Sequence, residues 1–397
     1  MKNKFTRRDF LAVSGLTITA ISADKSIEAQ KNNMKELLVY IGTYTSNNTK
    51  SEGIYIYKLN LVSGELSPYK IVKNAVDPSF LAIDKSQNFL YAVSETEEYE
   101  GKKSGAVSAY QIEQNGDLVF LNKQASLGGS PCHLAVSDNR KFVLVANYTG
   151  GNAASFPINE DGSLGDSVDL KQHNGNSINK KRQEAAHVHS VTLDQANNFA
   201  IVCDLGIDKA MIYRFDKENG KLQTNDSQEF FQTKLGAGPR HFAFHPNGKF
   251  AFLINELDST LTSLTYNEKQ GTLSEIQTVK TLPENYLRAS ANTCADLQIS
   301  PDGGFVYGSN RGHDSLVSFK INQENGKLEF IEHISTGGKS PRNFAIDPTG
   351  SFLLAANQNS DNIVVFRVDK TTGKLENTQF TAFVPKPVCL KLISLKS

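Results

Sequence analysis

Residues 238–256 read GPRHFAFHPNGKFAFLINE, and this stretch has the pattern of a β-hairpin. Apolar side chains alternate with others over 240–245 and again over 250–255, a period of two that is typical of strands. The Asn247-Gly248 pair between them favours a two-residue turn with positive φ at both positions. Such a turn would place Arg240 opposite Asn255, with Glu256 beside them. The stretch therefore predicts a basic and an acidic group together at the open end of a hairpin.

The same unit recurs along the chain, and a phenylalanine after each turn marks six copies: Phe89, Phe142, Phe199, Phe250, Phe305 and Phe352. Each copy continues into a third strand and then into a turn such as GKLQT (220–224) or GKLEF (326–330), which opens a fourth strand. Repeats of this kind with all-β content indicate a propeller built from four-stranded antiparallel blades.

The two ends of the chain supply a seventh blade. Near the N-terminus, LLVYIGTYT (37–45), GIYIYKLN (53–60) and GELSPYKIV (64–72) give three strands without a first, and KPVCLKLI (386–393) gives a first strand without a partner. Pairing the N- and C-terminal strands closes the ring and removes the open sheet edges. We therefore predict an all-β fold, a single seven-bladed β-propeller domain over residues 31–397.

Residues 1–30 have the pattern of an export signal. Thr6-Arg7-Arg8-Asp9-Phe10-Leu11 leads into a short apolar run, LAVSGLTITAISA (11–23), followed by small residues. The paired arginines before Phe-Leu resemble a twin-arginine signal, and the run is too short to span a bilayer as a resident helix. We expect export through the twin-arginine machinery to the periplasm, with no stable membrane insertion after the signal is removed.

Composition excludes several classes of function. Lys plus Arg and Asp plus Glu both number 42, so no net charge attracts nucleic acid or an anionic membrane. The four cysteines are too far apart for a metal ribbon and do not suggest a disulfide framework, so we expect buried side chains in strands: Cys132, Cys203, Cys294 and Cys389. No pattern implies a cofactor, and we expect a monomer.

The candidate site follows from propeller geometry. First strands line the central channel, and the antiparallel second strands end at the same face, so residues at these ends meet at one mouth. The candidate catalytic residues there are His187, His189, Arg240, Glu256 and Arg311. The candidate substrate-binding residues are Arg342, His241, Asn255, Asn310 and Gln358.

These residue types suit attack of water on a cyclic ester. Three arginines imply an anionic ligand, because guanidinium groups bind carboxylates and phosphates at two points. Glu256 or a histidine would activate the water, and an arginine would hold the developing oxyanion. Two other interpretations remain open. Glu256 neutralises the arginines in an ion-pair network, or His187 and His189 bind a metal, although no third ligand is evident.

Three other features are interpreted as structural. The insertion HNGNSINKKR (173–182) is expected to be a polar loop on the rim, with Arg182 in solvent. Asp204-Leu-Gly-Ile-Asp208 is expected to form a tight loop after a strand, not a catalytic pair. His245 lies beside the predicted turn, far from the mouth.

Several motifs together resemble the lactonase family of seven-bladed propellers, which includes propeller-type 6-phosphogluconolactonase and carboxy-muconate lactonizing enzyme. They are YIGTYT (40–45), HVHS (187–190), DLGID (204–208), GPRHFAFHP (238–246), NEL (255–257), SNRGHDS (309–315) and SPRNFAIDPTG (340–350). The resemblance covers nearly the whole chain after about residue 37. It implies a metal-independent active site with His187 or His189, Arg240, Glu256 and Arg311, and Arg342 as a further anion contact.

The first hypothesis is therefore a hydrolase for the lactone of an anionic or sugar-derived acid, with the phosphorylation of that substrate left open by the export signal. A second is lactonisation of an unsaturated diacid, with the arginines as carboxylate clamps. A third is a non-catalytic propeller that binds a sugar acid or a protein at this face.

Overall fold

A computed structural model describes residues 36–46, 49–287 and 291–394, so the predicted signal lies outside the described residues. Seven antiparallel sheets, each with four strand positions, form a ring, which confirms the seven-bladed propeller. The hydrophobic core is divided among the contacts between neighbouring blades. Phe199 and Ile201 of one blade, for example, pack in the same buried cluster as Leu253 and Leu264 of the next.

The strands are numbered along the chain, and within each blade they follow one another from the channel outwards. Blade 1 contains β4 (Leu81–Ile83), β5 (Phe89–Ser94), β8 (Ala106–Ile112) and β9 (Leu118–Ala125), with a small hairpin of β6 (Glu98–Tyr99) and β7 (Lys102–Lys103). Blade 2 contains β10 (Pro131–Val136), β11 (Phe142–Asn147), β12 (Asn152–Pro157) and β13 (Asp169–Gln172). Blade 3 contains β14 (Val188–Leu193), β15 (Phe199–Asp204) and β16 (Lys209–Phe215), with an outer strand split into β17 (Leu222–Thr224) and β18 (Phe230–Gln232).

The remaining blades follow the same order. Blade 4 contains β19 (Pro239–Phe244), β20 (Phe250–Asn255), β21 (Thr260–Asn267) and β22 (Thr272–Lys280). Blade 5 contains β23 (Thr293–Ile299), β24 (Phe305–Arg311), β25 (Ser315–Ile321) and β26 (Leu328–Ser335). Blade 6 contains β27 (Pro341–Ile346), β28 (Phe352–Asn357), β29 (Asn362–Val368) and β30 (Leu375–Phe383). Blade 7 contains β31 (Pro387–Ser394), β1 (Glu36–Thr43), β2 (Gly53–Asn60) and β3 (Leu66–Lys73).

The ring is closed as the sequence predicts. The C-terminal β31 is the inner strand of blade 7 and pairs antiparallel with β1, from Leu37 opposite Ser394 to Thr43 opposite Pro387. The four cysteines are buried and unpaired, as expected for side chains in strands.

The two sequence markers of the repeat meet between blades. The phenylalanine that starts each second strand packs on the glycine in the last turn of the next blade: Phe89 on Gly162, Phe142 on Gly220, Phe199 on Gly271, Phe250 on Gly326, Phe305 on Gly373 and Phe352 on Gly64. In blade 7, Leu38 of β1 packs on Gly116 of blade 1 in place of a phenylalanine. The repeat therefore preserves an interlocking contact between blades as well as a strand pattern.

We expect Gly271→Ala to destabilise the fold by about 2–4 kcal/mol, because a left-handed backbone and an overfilled contact both oppose the new methyl group. Gly271 has φ +64°, and a Cβ there would lie 2.3 Å from Phe199 Cδ1. Gly101→Ala is the matched control, since Gly101 has φ +74° and open space around it. Denaturant unfolding of both variants separates the contact from the backbone strain; equal losses would contradict the interlocking role.

The predicted two-residue turn in residues 238–256 is wrong. The hairpin loop runs over 245–249, and Gly248, but not Asn247, has a positive φ (70°). At the other end, Pro239 and not Arg240 pairs with Asn255, and the register shifts between Pro239 and His241. Arg240 is therefore the extra residue of a β-bulge, which a simple alternating register does not anticipate.

The same bulge occurs at the start of four first strands. The register shifts between residues 131 and 133, 188 and 190, 239 and 241, and 341 and 343. The extra residues are Cys132, His189, Arg240 and Arg342. Because a bulge redirects a side chain at the end of a ladder, this repeated irregularity supplies four of the side chains at the channel mouth.

Candidate active site

A cavity of about 350 Å³ lies at the mouth where the second strands end. It is lined by Tyr44, Glu95, Cys132, Tyr148, Arg182, His189, Glu256, Thr293, Arg311 and Arg342. Three of the four bulge residues are among them, and the fourth, Arg240, lies beneath. The hairpin turns are at the opposite end of the strands, where His245 bonds to the Gly303 carbonyl over 2.8 Å.

Glu256 is the centre of the charged network. Its Oε1 accepts a hydrogen bond from Arg182 Nη2 at 2.7 Å, and its Oε2 accepts from Arg240 Nε at 2.9 Å. Arg311 Nη2 lies 3.0 Å from the same Oε2. Burial raises the pKa of this carboxyl, but Arg311, Arg240 and Arg182 together lower the pKa of Glu256 to about 2. Glu256 is thus a permanent anion, and the ion-pair network expected as one alternative is present with Arg182 added.

Arg240 is a supporting residue beneath the cavity. Its side chain is 2% exposed, and its Nη1 donates to the Ala295 carbonyl and to His241 Nε2 at 3.1 Å. Because His241 Nε2 accepts, its Nδ1–H donates to Asp296 Oδ1 at 2.8 Å. A buried chain from Asp296 through His241 and Arg240 therefore fixes Glu256, and the structure places neither Arg240 nor His241 among the lining residues.

His189 is the lining imidazole. Its Nε2 lies 3.9 Å from Glu256 Oε2, and its Nδ1 lies 3.7 Å from Cys132 Sγ. Burial, followed by the charge of Arg240, lowers the pKa of His189 well below its usual value, so the ring is neutral at neutral pH. Burial raises the pKa of the Cys132 thiol, which keeps it protonated. The cavity therefore holds a neutral imidazole beside a carboxylate.

Arg311 and Arg342 present guanidinium groups to the cavity. Arg311 also donates from Nη2 to the Cys294 carbonyl at 2.9 Å, and its buried Nε has no partner among the described residues. The Arg342 guanidinium lies 5.4 Å from the centre of the Tyr44 ring and 3.7 Å from Glu95 Oε1. Within the described chain Arg342 donates no hydrogen bond, which leaves its planar group available to an oxyanion.

His187 lies outside the cavity lining, although it belongs to the same His-Val-His motif. Its ring stacks on Tyr148 at 4.6 Å, and its two nitrogens contact the Tyr148 carbonyl at 3.2 Å and Glu184 Oε1 at 3.0 Å. The bulge at His189 explains the difference, because only the extra residue is turned into the cavity. Nowhere in the described ranges do three or more His, Cys, Asp or Glu side chains group in a way that could hold a metal ion.

The structure also places three predicted substrate-binding residues away from the lining set. Asn310 Nδ2 donates to the Thr281 carbonyl at 2.8 Å, and Asn255 Nδ2 donates to Thr260 Oγ1 at 2.9 Å. Gln358 is half-buried just after β28. The buried asparagines hold the ends of second strands to neighbouring segments, and contact of any of the three with substrate stays a prediction.

The expectation that Arg182 lies in solvent is wrong. The segment 173–186, which we call the arm, brings its side chain over the mouth, where Nη2 bonds Glu256 and lies 3.2 Å from Tyr148 Oη. The predicted tight loop holds the arm: His173 Nδ1 lies 2.8 Å from Asp204 Oδ2, and Gln183 Nε2 donates to Asp208 Oδ1 at 2.7 Å. The two aspartates are fully buried, so their need for partners is the signal that could have located the arm.

The described part of the chain contains no helical segment with the length and hydrophobicity that a transmembrane span requires.

The sequence profile described as "Lactonase, 7-bladed beta-propeller" matches residues 38–392. The chain therefore belongs to the lactonase family of seven-bladed β-propellers and is a lactone hydrolase.

Its relatives include the 6-phosphogluconolactonase of Bacillus subtilis (strain 168), which is 40% identical over 361 residues, 91% of this chain and 99% of the relative. A putative 6-phosphogluconolactonase from Bacteroides fragilis has a similar crystal structure, with TM-score 0.83 and 35% identity over 91% of this chain and 98% of that one. The periplasmic gluconolactonase of Pseudomonas aeruginosa superposes with TM-score 0.84 and 31% identity, covering 91% and 99% of the two chains.

Proposed function

We propose that the protein hydrolyses the lactone of an anionic, sugar-derived acid at the channel-mouth cavity, with an activity like that of 6-phosphogluconolactonase. The observation that carries the proposal is the grouping of Arg311 and Arg342 with Glu256 and a neutral His189 around one cavity of about 350 Å³. This volume is within the range of small-molecule sites. The names of the relatives from Bacillus subtilis and Pseudomonas aeruginosa agree with this substrate class.

In the proposed mechanism, one water hydrogen-bonds to both His189 Nε2 and Glu256 Oε2, which are 3.9 Å apart. His189 is the general base, because its neutral ring offers a lone pair. Glu256, with a pKa of about 2 and its oxygens bonded to arginines, orients the water instead. The water oxygen bonds to the lactone carbonyl carbon while its proton moves to His189.

Arg311 and Arg342 are then the donors for the negative charge. They would stabilise the carbonyl oxygen as it becomes an oxyanion, and their fixed positions avoid reorganisation during the reaction. When the tetrahedral intermediate collapses, the ring C–O bond breaks and His189 returns its proton to the departing alkoxide. The product is the open-chain hydroxy acid, and His189 is neutral again.

A lactone panel tests the proposal. The purified protein is incubated with δ-gluconolactone and its 6-phosphate, and acid release is followed by pH-stat above the spontaneous rate. Enzymatic release with at least one of them is expected. Binding without release from any lactone would overturn the proposed hydrolysis and favour a non-catalytic sugar-acid receptor.

We also propose that the chain is exported to the periplasm. The twin-arginine pattern at Arg7-Arg8 supports this, and the Pseudomonas aeruginosa relative is described as periplasmic. Replacing both arginines by lysine is expected to leave the full-length protein in the cytoplasm, because the twin-arginine pathway recognises the arginine pair. Fractionation by osmotic shock checks this, with Lys2→Arg and Lys4→Arg together as the charge-preserving control. Normal export of the Arg7→Lys, Arg8→Lys protein would contradict this route.

A further inference from the structure

The Arg182 guanidinium makes few hydrogen bonds for a group with three nitrogens. One nitrogen, Nη2, makes both of its hydrogen bonds, to Glu256 Oε1 and to Tyr148 Oη. Its Nη1 and Nε donate to no other described residue. The side chain is anchored at one corner, and the rest of its planar group is free to bind a tetrahedral or planar oxyanion at two points.

Arg182 also occupies the outermost position among the cavity arginines. Its side chain is 38% exposed, compared with 14% for Arg311 and 17% for Arg342. His189, the proposed base, is buried at the inner end. A lactone whose ring reaches His189 would therefore direct its far end towards the mouth, where Arg182 lies.

The charges at the mouth are not balanced. Four guanidinium groups (Arg182, Arg240, Arg311 and Arg342) meet three carboxylates: Glu95, Glu256 and, beneath the cavity, Asp296. The exposed Lys180 and Lys181 of the arm add further positive charge, although the whole chain is neutral. Buried charge without a counter-charge is costly, so this excess of positive charge fits an anionic ligand.

We propose that Arg182 is a specificity-determining residue that binds a phosphate monoester at the end of the substrate remote from the lactone ring. The inference rests on the proposed lactone hydrolysis and names its substrate class. The arm holds this guanidinium through Asp204 and Asp208, so the fold presents a preformed phosphate contact at the mouth.

The test compares kcat/KM for δ-gluconolactone 6-phosphate with kcat/KM for δ-gluconolactone. In the wild-type protein the ratio is expected to favour the phosphorylated lactone. Arg182→Gln is expected to lower this ratio about tenfold or more, because a charge-assisted contact to phosphate is lost. Arg182→Lys should keep part of it, since the charge remains and the two-point geometry does not. Effects of the substitution on Glu256 act on both substrates and cancel in the ratio.

Arg140→Gln is the matched control, because Arg140 lies at a turn on the opposite face with a 47% exposed side chain, and we expect its ratio to equal that of the wild type. An unchanged ratio in Arg182→Gln, or a wild-type ratio near one, overturns the assignment of Arg182 while leaving lactone hydrolysis intact. Failure of the wild-type protein to hydrolyse either lactone overturns the proposed function itself. A second measurement is inhibition by 6-phosphogluconate relative to inhibition by gluconate. We expect Arg182→Gln to weaken inhibition by the phosphorylated acid more than inhibition by gluconate. This measurement needs no turnover of the phosphorylated lactone.

Discussion

Glu256→Gln is expected to lower kcat for lactone hydrolysis by about 100-fold or more, the range found when groups that assist proton transfer are lost. The carboxylate lies 3.9 Å from His189 Nε2 and bonds three guanidinium groups. A neutral amide would present an N–H to one of these partners, so the water would lose an acceptor and the arginines would lose their common anchor. Steady-state kinetics on the lactone panel measures the loss.

The same substitution is expected to destabilise the fold, and the two effects must be separated. Removing one member of a buried ion-pair network leaves cations unpaired, which costs about 3–5 kcal/mol. Activity is therefore compared well below the thermal midpoint, with circular dichroism confirming the folded state. Glu218→Gln is the control, because Glu218 forms an exposed pair with Lys141. Full turnover by folded Glu256→Gln protein would remove Glu256 from the mechanism.

Acid titration provides a further check on the same network. The pKa of Glu256 is lowered from 4.5 to about 2, so its contribution to stability is fully present above pH 4.5. This contribution is expected to be lost as the pH falls towards 2, when the carboxyl takes up a proton. The Glu256→Gln protein should lack this part of the acid dependence, as seen in thermal midpoints measured from pH 5 to pH 2.

The seven-bladed ring could be predicted because its repeat is visible in short sequence patterns. Six copies of the repeat share alternating strands, a phenylalanine after the first turn and a glycine in the last turn. The structure shows that this phenylalanine and this glycine touch between neighbouring blades. The closing strand at 386–393 was recognisable for the same reason. Such patterns report strand periodicity and tight turns, each of which depends on a few neighbouring residues.

The detail of the site could be predicted only in part, because it depends on departures from those patterns. A β-bulge decides that His189 faces the cavity and that Arg240 lies beneath it, and nothing in an alternating sequence marks the extra residue. Arg182 was missed because its position depends on contacts between the arm and the loop at Asp204 and Asp208. The prediction that basic and acidic groups meet at one mouth required only strand direction, and the structure brings Arg311, Arg342 and Glu256 together there.

His189→Ala is expected to lower kcat by about 100- to 10,000-fold, since the residue is the proposed base. His187→Ala is the matched comparison, because both imidazoles come from one motif and only His189 lines the cavity. We expect a loss of less than about tenfold for His187→Ala, through loosening of Tyr148, since a residue that only positions another does not transfer the proton. The opposite order of the two losses would assign the base to His187 and contradict the bulge argument.

The pH profile of the wild-type protein tests the same assignment without mutation. A base works in its unprotonated form, so activity is present above the pKa of His189 and is lost as the pH falls through it. Burial, followed by the charge of Arg240, lowers that pKa well below 6.5. We therefore expect kcat/KM to stay level from pH 8 to below pH 6 and to fall only in more acidic solution. A fall centred at pH 6.5 or above would mean that the titrating base is not the buried His189, because an imidazole in this cationic surrounding cannot hold its proton there.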